Sequence, residues 1–225
     1  MIKTVFLDVD NTLLDFNENA RLSMEKSFAD CGLSFQPKMF PTFISVNDRL
    51  WLEIEKGTLT RERLHEIRWD IVFSELGIDY DGKAFEKRFL HHIATSPKTI
   101  DGATDLLRYL YPRYTVCLAS NAPVEQQTKR LAHTDIPAFV HHTFISEDLG
   151  YAKPEKGFFD ACFARLPGAT PESSIMIGDS LSADIRGGMT CGIKTCWYNP
   201  EKKPTPADMK IDYIVHDLSE IKNIL

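Results

Sequence analysis

The sequence predicts an α/β fold, a parallel sheet with helices on both faces and an all-helical domain inserted after the first strand. Three observations predict it. Short β-rich apolar runs alternate with longer helical patterns, and apolar strands of this kind are buried on both faces. Four segments with chemically capable residues each fall at the end of a predicted strand or the start of a predicted helix. The alternation breaks once, from about residue 16 to about residue 95, where the chain reads as helix without a convincing strand. Together these give a Rossmann-like core over residues 1–15 and 96–225, interrupted by a helical domain over 16–95.

Taken in order, the run 4–8 (Thr-Val-Phe-Leu-Asp) predicts the first strand. Helical spacing follows over 18–31, with Gly32 as its stop, then over 41–55, 60–76 and 83–94. Ser96-Pro97 predicts the return hinge, because the residue before proline is pushed out of the helical region. The core then resumes with strands at 115–119, 143–145, 174–177, 194–197 and 213–215. Helices are predicted at 104–111, 124–133, 156–166 and 182–191, with Gly192 as a C-cap of the last. Pro200, Pro204 and Pro206 mark 199–209 as a loop.

Composition narrows the function. A chain of 225 residues is long enough for a sizeable core, and a net charge of −6 argues against a nucleic-acid polymer or a polybasic membrane contact. An anionic ligand would have to be drawn in by a few local cations. The five cysteines, Cys31, Cys117, Cys162, Cys191 and Cys196, are odd in number and form no CxxC pair. They indicate neither a disulfide framework nor a zinc site, and reduced thiols fit a cytoplasmic location. The sequence runs directly into a strand without a basic and apolar leader, and it contains no apolar run of transmembrane length.

The most informative stretch is Asp8-Val9-Asp10-Asn11-Thr12. A buried strand that ends in two carboxylates carries a desolvation cost that packing does not explain. A divalent cation with a transferable phosphoryl group would explain it, with one Asp as nucleophile and the other as its acid/base partner. Ser120 closes the second core strand, where its hydroxyl and the N–H of Asn121 can hold phosphate oxygens. Lys153 precedes a helix expected near Pro154 and can neutralise a phosphoryl oxygen. Gly178-Asp179 ends another strand, and Asp184 follows at a helix start. All four sites fall at carboxyl ends of strands, where open α/β sheets bind ligands.

This four-part order resembles the haloacid dehalogenase superfamily over the whole chain, the inserted helical cap included. Residues 8–12 match its first motif, DxDxT; Ser120 matches the second, Lys153 the third, and Gly178-Asp179 with Asp184 the fourth. The resemblance implies that Asp8 attacks phosphorus and becomes an aspartyl phosphate. Asp10 then protonates the leaving oxygen and activates the hydrolytic water. It further implies Mg²⁺ held by the Asp8 and Asp179 carboxylates and the Asp10 backbone carbonyl, with Asp184 orienting Lys153 or a metal-bound water. Within the superfamily the chain is similar to the pyrimidine 5′-nucleotidases that also accept non-canonical nucleotides. The carrying segments are 46–51 and 56–60 in the cap and 145–150 and 195–199 in the core. That likeness implies a small phosphorylated metabolite, a nucleoside 5′-monophosphate, as substrate, with Arg49 and Trp51 as cap residues that meet it.

Other readings stand beside these. Each acid, taken alone, is a turn or helix-cap residue, Asp184 being a natural cap of helix 182–191. Lys153 alone is a solvated lysine. Trp51 suits the cap core, Arg49 a solvated ion pair, and the seven histidines form no ligand pattern. Phosphoglycolate, sugar-phosphate and phosphomutase chemistry would use the same residues. A 2-haloacid dehalogenase would need no Mg²⁺ and typically lacks the second acid, so Asp10 and Asp179 argue against it. A phosphonate hydrolase would need a Schiff-base lysine, and Lys26, Lys38 and Lys56 sit in no supporting context. A phospho-accepting signalling module of receiver type is shorter and uncapped. A non-catalytic binding protein would have lost at least one of Asp8, Asp10, Lys153 and Asp179.

Overall fold

The computed structural model describes all 225 residues. The chain divides into two compact units, one formed by Met1–Asp15 with Lys98–Leu225, the other by Phe16–Pro97.

The first unit is built on a six-stranded sheet. Strand β1 spans Thr4–Leu7. The others are β2 (Thr115–Ser120), β3 (His142–Ile145), β4 (Ser174–Gly178), β5 (Lys194–Tyr198) and β6 (Tyr213–Val215). All pairs are parallel, in the order β3-β2-β1-β4-β5-β6. The period-two alternation of the strands sorts their side chains onto two faces. Val5, Leu7, Val116, Leu118, Ile175 and Ile177 build one core. Phe6, Cys117, Ala119 and Met176 build the other, with Phe158 and Phe159. Both faces are buried, so these strands read as continuous apolar runs.

Strand order changes direction at β1, which places the crevice for a ligand beside it. The register aligns the three central strand ends: Leu7 pairs with Leu118 on one side and with Ile177 on the other. Residues just beyond these partners therefore share one edge of the sheet.

The second unit contains helices α1 (Phe16–Asp30), α2 (Phe40–Glu55), α3 (Arg61–Leu76) and α4 (Gly82–Thr95). The Thr60 side chain caps α3 by accepting from the Arg63 N–H, and Asp81 caps α4 by accepting from Ala84. Its own core is aromatic, with Phe28, Phe43, Trp69, Phe73, Phe85 and Phe89 buried in mutual contact. Against that core, over the Phe43 and Phe89 rings, Arg68 forms a buried ion pair with Glu86 (2.6 Å) and donates to Asn47.

The core helices are α5 (Ala103–Leu110), α6 (Val124–Ala132), α7 (Ser146–Leu149), α8 (Lys156–Ala164) and α9 (Arg186–Thr190). The helix after Lys153 begins at Lys156, the first residue of the predicted 156–166 and two beyond Pro154. One expectation is corrected. The single helix expected over 182–191 is a wide π-type turn at Leu181–Ile185 followed by α9. Gly192 does close it in the left-handed region (φ 70°), which a Cβ would disfavour. No helix is long and apolar enough to cross a membrane, and all five cysteines are free thiols.

Candidate active site

Asp8 is the residue after β1, where its N–H continues the ladder by donating to the Ile177 carbonyl (2.9 Å). Beyond it the chain turns back tightly: the N–H groups of Leu13 and Leu14 both donate to Val9 O, and Asn11 adopts φ 59°. Asn is among the few side chains that tolerate this left-handed conformation. The turn points Asp8 and Asp10 from one strand end and buries Thr12, whose hydroxyl donates to Asp179 Oδ1 (3.4 Å).

Lys153 is the hub of the site. It is 1% exposed, and its Nζ lies 2.6 Å from each of three acceptors, Asp8 Oδ1, Asp184 Oδ1 and the Ala119 carbonyl. An ammonium has three protons, so all its donors are used. Burial opposes its charge, but Asp184 and Asp8 outweigh that and hold its pKa above the usual lysine range. Its loop is fixed by Asn121, whose amide donates to Lys153 O (2.8 Å) and accepts from Lys153 N (2.9 Å). Sequence assigns Asn121 a role through its backbone N–H; its side chain has a second task, tying the end of β2 to the lysine loop.

Asp179 follows β4, and its backbone carbonyl accepts from Trp197 Nε1 (2.9 Å). Asp184 is fully buried; its Oδ2 accepts from the Ser180 N–H (3.1 Å) while Oδ1 takes Lys153. Of the two roles left open for Asp184, orienting Lys153 is the contact present. Gly178 makes this possible, because a Cβ there would lie 2.1 Å from Asp184 Oδ2. Gly178→Ala is therefore expected to displace Asp184 and lower stability by about 2–4 kcal/mol, an overpacking cost at the upper end of the range. A midpoint of thermal unfolding unchanged from wild type would contradict this contact.

Carboxylate oxygens of Asp8, Asp179 and Asp184 lie within 4.8 Å of one another. One ammonium cannot neutralise three acids. Burial pushes the Asp8 carboxyl up to about 7, with Lys153 opposing and Asp184 and Asp10 adding to the rise. Burial and the neighbouring Asp8 and Asp184 likewise hold Asp179 well above the usual carboxylate range. A carboxyl raised in the fold costs stability once pH exceeds its ordinary value, and a bound cation would relieve that cost. Hard oxygen donors with surplus negative charge fit a divalent cation such as Mg²⁺.

Ser120 and Asp10 join the site through α6. Ser120 Oγ accepts from Ala122 N and from Gln127 Nε2, both at 3.1 Å. With two bonds accepted, the Ser120 O–H is left to donate, which suits an anionic oxygen. Gln127 Nε2 also reaches Asp10 Oδ2 (3.3 Å), and Arg130 Nη1 lies 2.5 Å from Asp10 Oδ1. Gln127 and Arg130 were not anticipated from sequence. The usable signal was their place one turn apart beside Leu131, on the buried stripe of the helix expected over 124–133.

Arg49 and Trp51 lie in the helical unit. Arg49 is exposed and pairs with Glu75 (3.2 Å), and Trp51 packs half-buried against the aromatic core. Three histidines pair away from the site, His65 with Glu86, His92 with Asp30 and His216 with the Asn199 carbonyl.

A parallel sheet with clustered acids and a serine at its strand ends, and a buried lysine brought in from the loop before α8, is an arrangement that suits hydrolase chemistry. The chain belongs to the haloacid dehalogenase-like hydrolase family, whose model matches residues 2–192. It is 33% identical over 223 residues to YfnB of Bacillus subtilis (strain 168), covering 99% of this chain and 95% of that one. A crystal structure of YfnB bound to magnesium matches with a TM-score of 0.94, covering 100% and 98% of the two chains. The pyrimidine 5′-nucleotidase PynA of Streptococcus pneumoniae (strain ATCC BAA-255 / R6) is 31% identical over 229 residues, covering 99% and 97%. The pyrimidine 5′-nucleotidase YjjG of Escherichia coli (strain K12) is 28% identical over 221 residues, covering 98% and 96%.

Proposed function

We propose that the chain is a Mg²⁺-dependent phosphomonoesterase that hydrolyses nucleoside 5′-monophosphates, pyrimidine nucleotides foremost. The observation that carries this reading is the Asp8 carboxylate, buried at a strand end against Lys153, with a second acid two residues on. Its Oδ attacks phosphorus in line; a new P–O bond forms as the P–O bond to the nucleoside breaks. Asp10 gives its proton to the leaving oxygen. The aspartyl phosphate is then attacked at phosphorus by water, whose proton returns to Asp10, and Asp8 is released as a carboxylate. Ser120 and the Asn121 N–H hold the phosphoryl oxygens, and Lys153 offsets the charge of nucleophile and phosphate together. Mg²⁺, held by the Asp8 and Asp179 carboxylates and the Asp10 carbonyl, would supply charge neutralisation and alignment. Asp184 keeps Lys153 in place.

The substrate class is supported by the two relatives named pyrimidine 5′-nucleotidases. Residues 16–95 are assigned the role of a cap, with Arg49 and Trp51 as its substrate contacts.

A phosphate-release panel tests the reading. Nucleoside 5′-monophosphates, sugar phosphates and phosphoglycolate are compared with Mg²⁺ and with EDTA. The expected result is a kcat/KM for uridine 5′-monophosphate at least about tenfold above the sugar phosphates, a difference of about 1.4 kcal/mol in transition-state binding. EDTA is expected to silence it and Mg²⁺ to restore it. Preference for phosphoglycolate would replace the substrate assignment, and EDTA-resistant turnover would remove the metal.

A further inference from the structure

Two residues of α6 reach the site without belonging to any of its four motif segments. Gln127 is 0% exposed and Arg130 1%. Burying an amide and a guanidinium on a helix face that could carry leucine is costly, and it is offset only by well-made polar contacts. Here the contacts converge on one carboxylate. Arg130 Nη1 pairs with Asp10 Oδ1 (2.5 Å) and donates to Gln127 Oε1 (3.0 Å). Gln127 Nε2 lies 3.3 Å from Asp10 Oδ2 and 3.1 Å from Ser120 Oγ. Asp10 Oδ1 is thus ion-paired with Arg130 while Oδ2 accepts from Gln127, and the same amide ties Asp10 to the phosphate-binding hydroxyl.

We propose that Gln127 and Arg130 are positioning residues that fix the Asp10 carboxylate for proton transfer and set its place relative to Ser120. This rests on the reading of Asp10 as proton donor to the leaving oxygen. A positioned proton donor matters in proportion to the basicity of the oxygen it serves. A nucleoside 5′-oxygen must leave with a proton, whereas p-nitrophenolate leaves without one. Loosening Asp10 should therefore slow one ester far more than the other, which a general loss of structure would not do.

The test compares wild type with Arg130→Met, Arg130→Lys and Gln127→Met on uridine 5′-monophosphate and p-nitrophenyl phosphate in Mg²⁺. kcat/KM reports the phosphorylation step. Arg130→Met is expected to lower it about 100-fold for the nucleotide and less than about fivefold for the aryl ester, the scale of general acid catalysis. Arg130→Lys should recover part of the loss. Gln127→Met should show the same selectivity and raise KM for both esters, because Ser120 also loses its partner. Adding Arg130→Met to Asp10→Asn should cost nothing further on the nucleotide, as for residues acting through one group. An equal fall on both esters, or an additive double variant, would overturn the proposal. Circular dichroism checks folding, and if Arg130→Met does not fold, the ester ratio of Gln127→Met decides. Wild-type protein that hydrolyses neither ester would instead overturn the phosphatase reading.

Discussion

Asp8→Asn is expected to reduce phosphate release by about four orders of magnitude or more while leaving the fold at least as stable as wild type in EDTA. The rate loss follows from chemistry, since an amide oxygen does not form the covalent intermediate. The stability outcome follows from the electrostatics of the site. In the metal-free protein, burial drives the Asp8 carboxyl up to about 7, and Asp184 and Asp10 add to that against the pull of Lys153. Asn keeps the shape and removes one of the crowded charges. Lys153 retains Asp184 and the Ala119 carbonyl as acceptors. Sign matters here: a carboxyl raised in the folded state disfavours folding progressively above its ordinary pKa of 3.8, so the gain from Asn should be larger at pH 8 than at pH 5. Thermal unfolding at both pH values, alongside phosphate release, separates a lost nucleophile from a lost fold. Turnover within tenfold of wild type would end the assignment of Asp8.

Much of this site was legible before the structure because its acids sit at strand ends, and strand ends are marked by local pattern. The run Thr4–Leu7 is apolar throughout and breaks sharply at Asp8, as Ser174–Gly178 breaks at Asp179. What local pattern does not carry is partnership over distance. Lys153 alone looks like any solvated lysine, and only the order of the four motifs singles it out; its partners, an acid 145 positions away and another 31 positions away, come with the fold. The turn at Leu181–Ile185 hid for the same reason: Asp184 is pulled inward to Lys153 and Ser180, and a wide turn replaces the α-helical spacing that its sequence suggests. Gln127 and Arg130 were the hardest to see. Gln and Arg on a helix are ordinarily solvated, and only the position of Asp10, 117 residues earlier than Gln127, gives them a reason to be buried. The glycine at 178 belongs to the fourth motif, and its structural reason, the Asp184 carboxylate lying where a Cβ would be, shows only in the fold.

Lys153→Met is expected to remove activity and to destabilise the fold together, in contrast to Asp8→Asn. The ammonium is held above the ordinary lysine pKa although burial opposes it, because Asp184 and Asp8 favour the charge more strongly. A group raised in this way contributes stability that is complete below its unfolded value of 10.5 and is lost only as pH climbs through the higher folded value. The contribution is therefore fully present at neutral pH. Removing the cation leaves two carboxylates and one carbonyl buried without their shared donor, and breaking a buried ion pair from one side costs about 3–5 kcal/mol. For a unit of this size that corresponds to a fall in unfolding midpoint on the order of 10 °C. Acidification should soften the loss, because Asp8 can then take up a proton in place of its missing partner. Lys153→Arg should not restore turnover, since a planar guanidinium cannot place donors on three acceptors that surround a single point at 2.6 Å. Calorimetry across pH 5 to 8.5, paired with phosphate release in Mg²⁺, checks both halves. A Lys153→Met protein as stable as wild type at pH 8 would show that the acids do not depend on this cation, and the charge-balanced site described here would not stand.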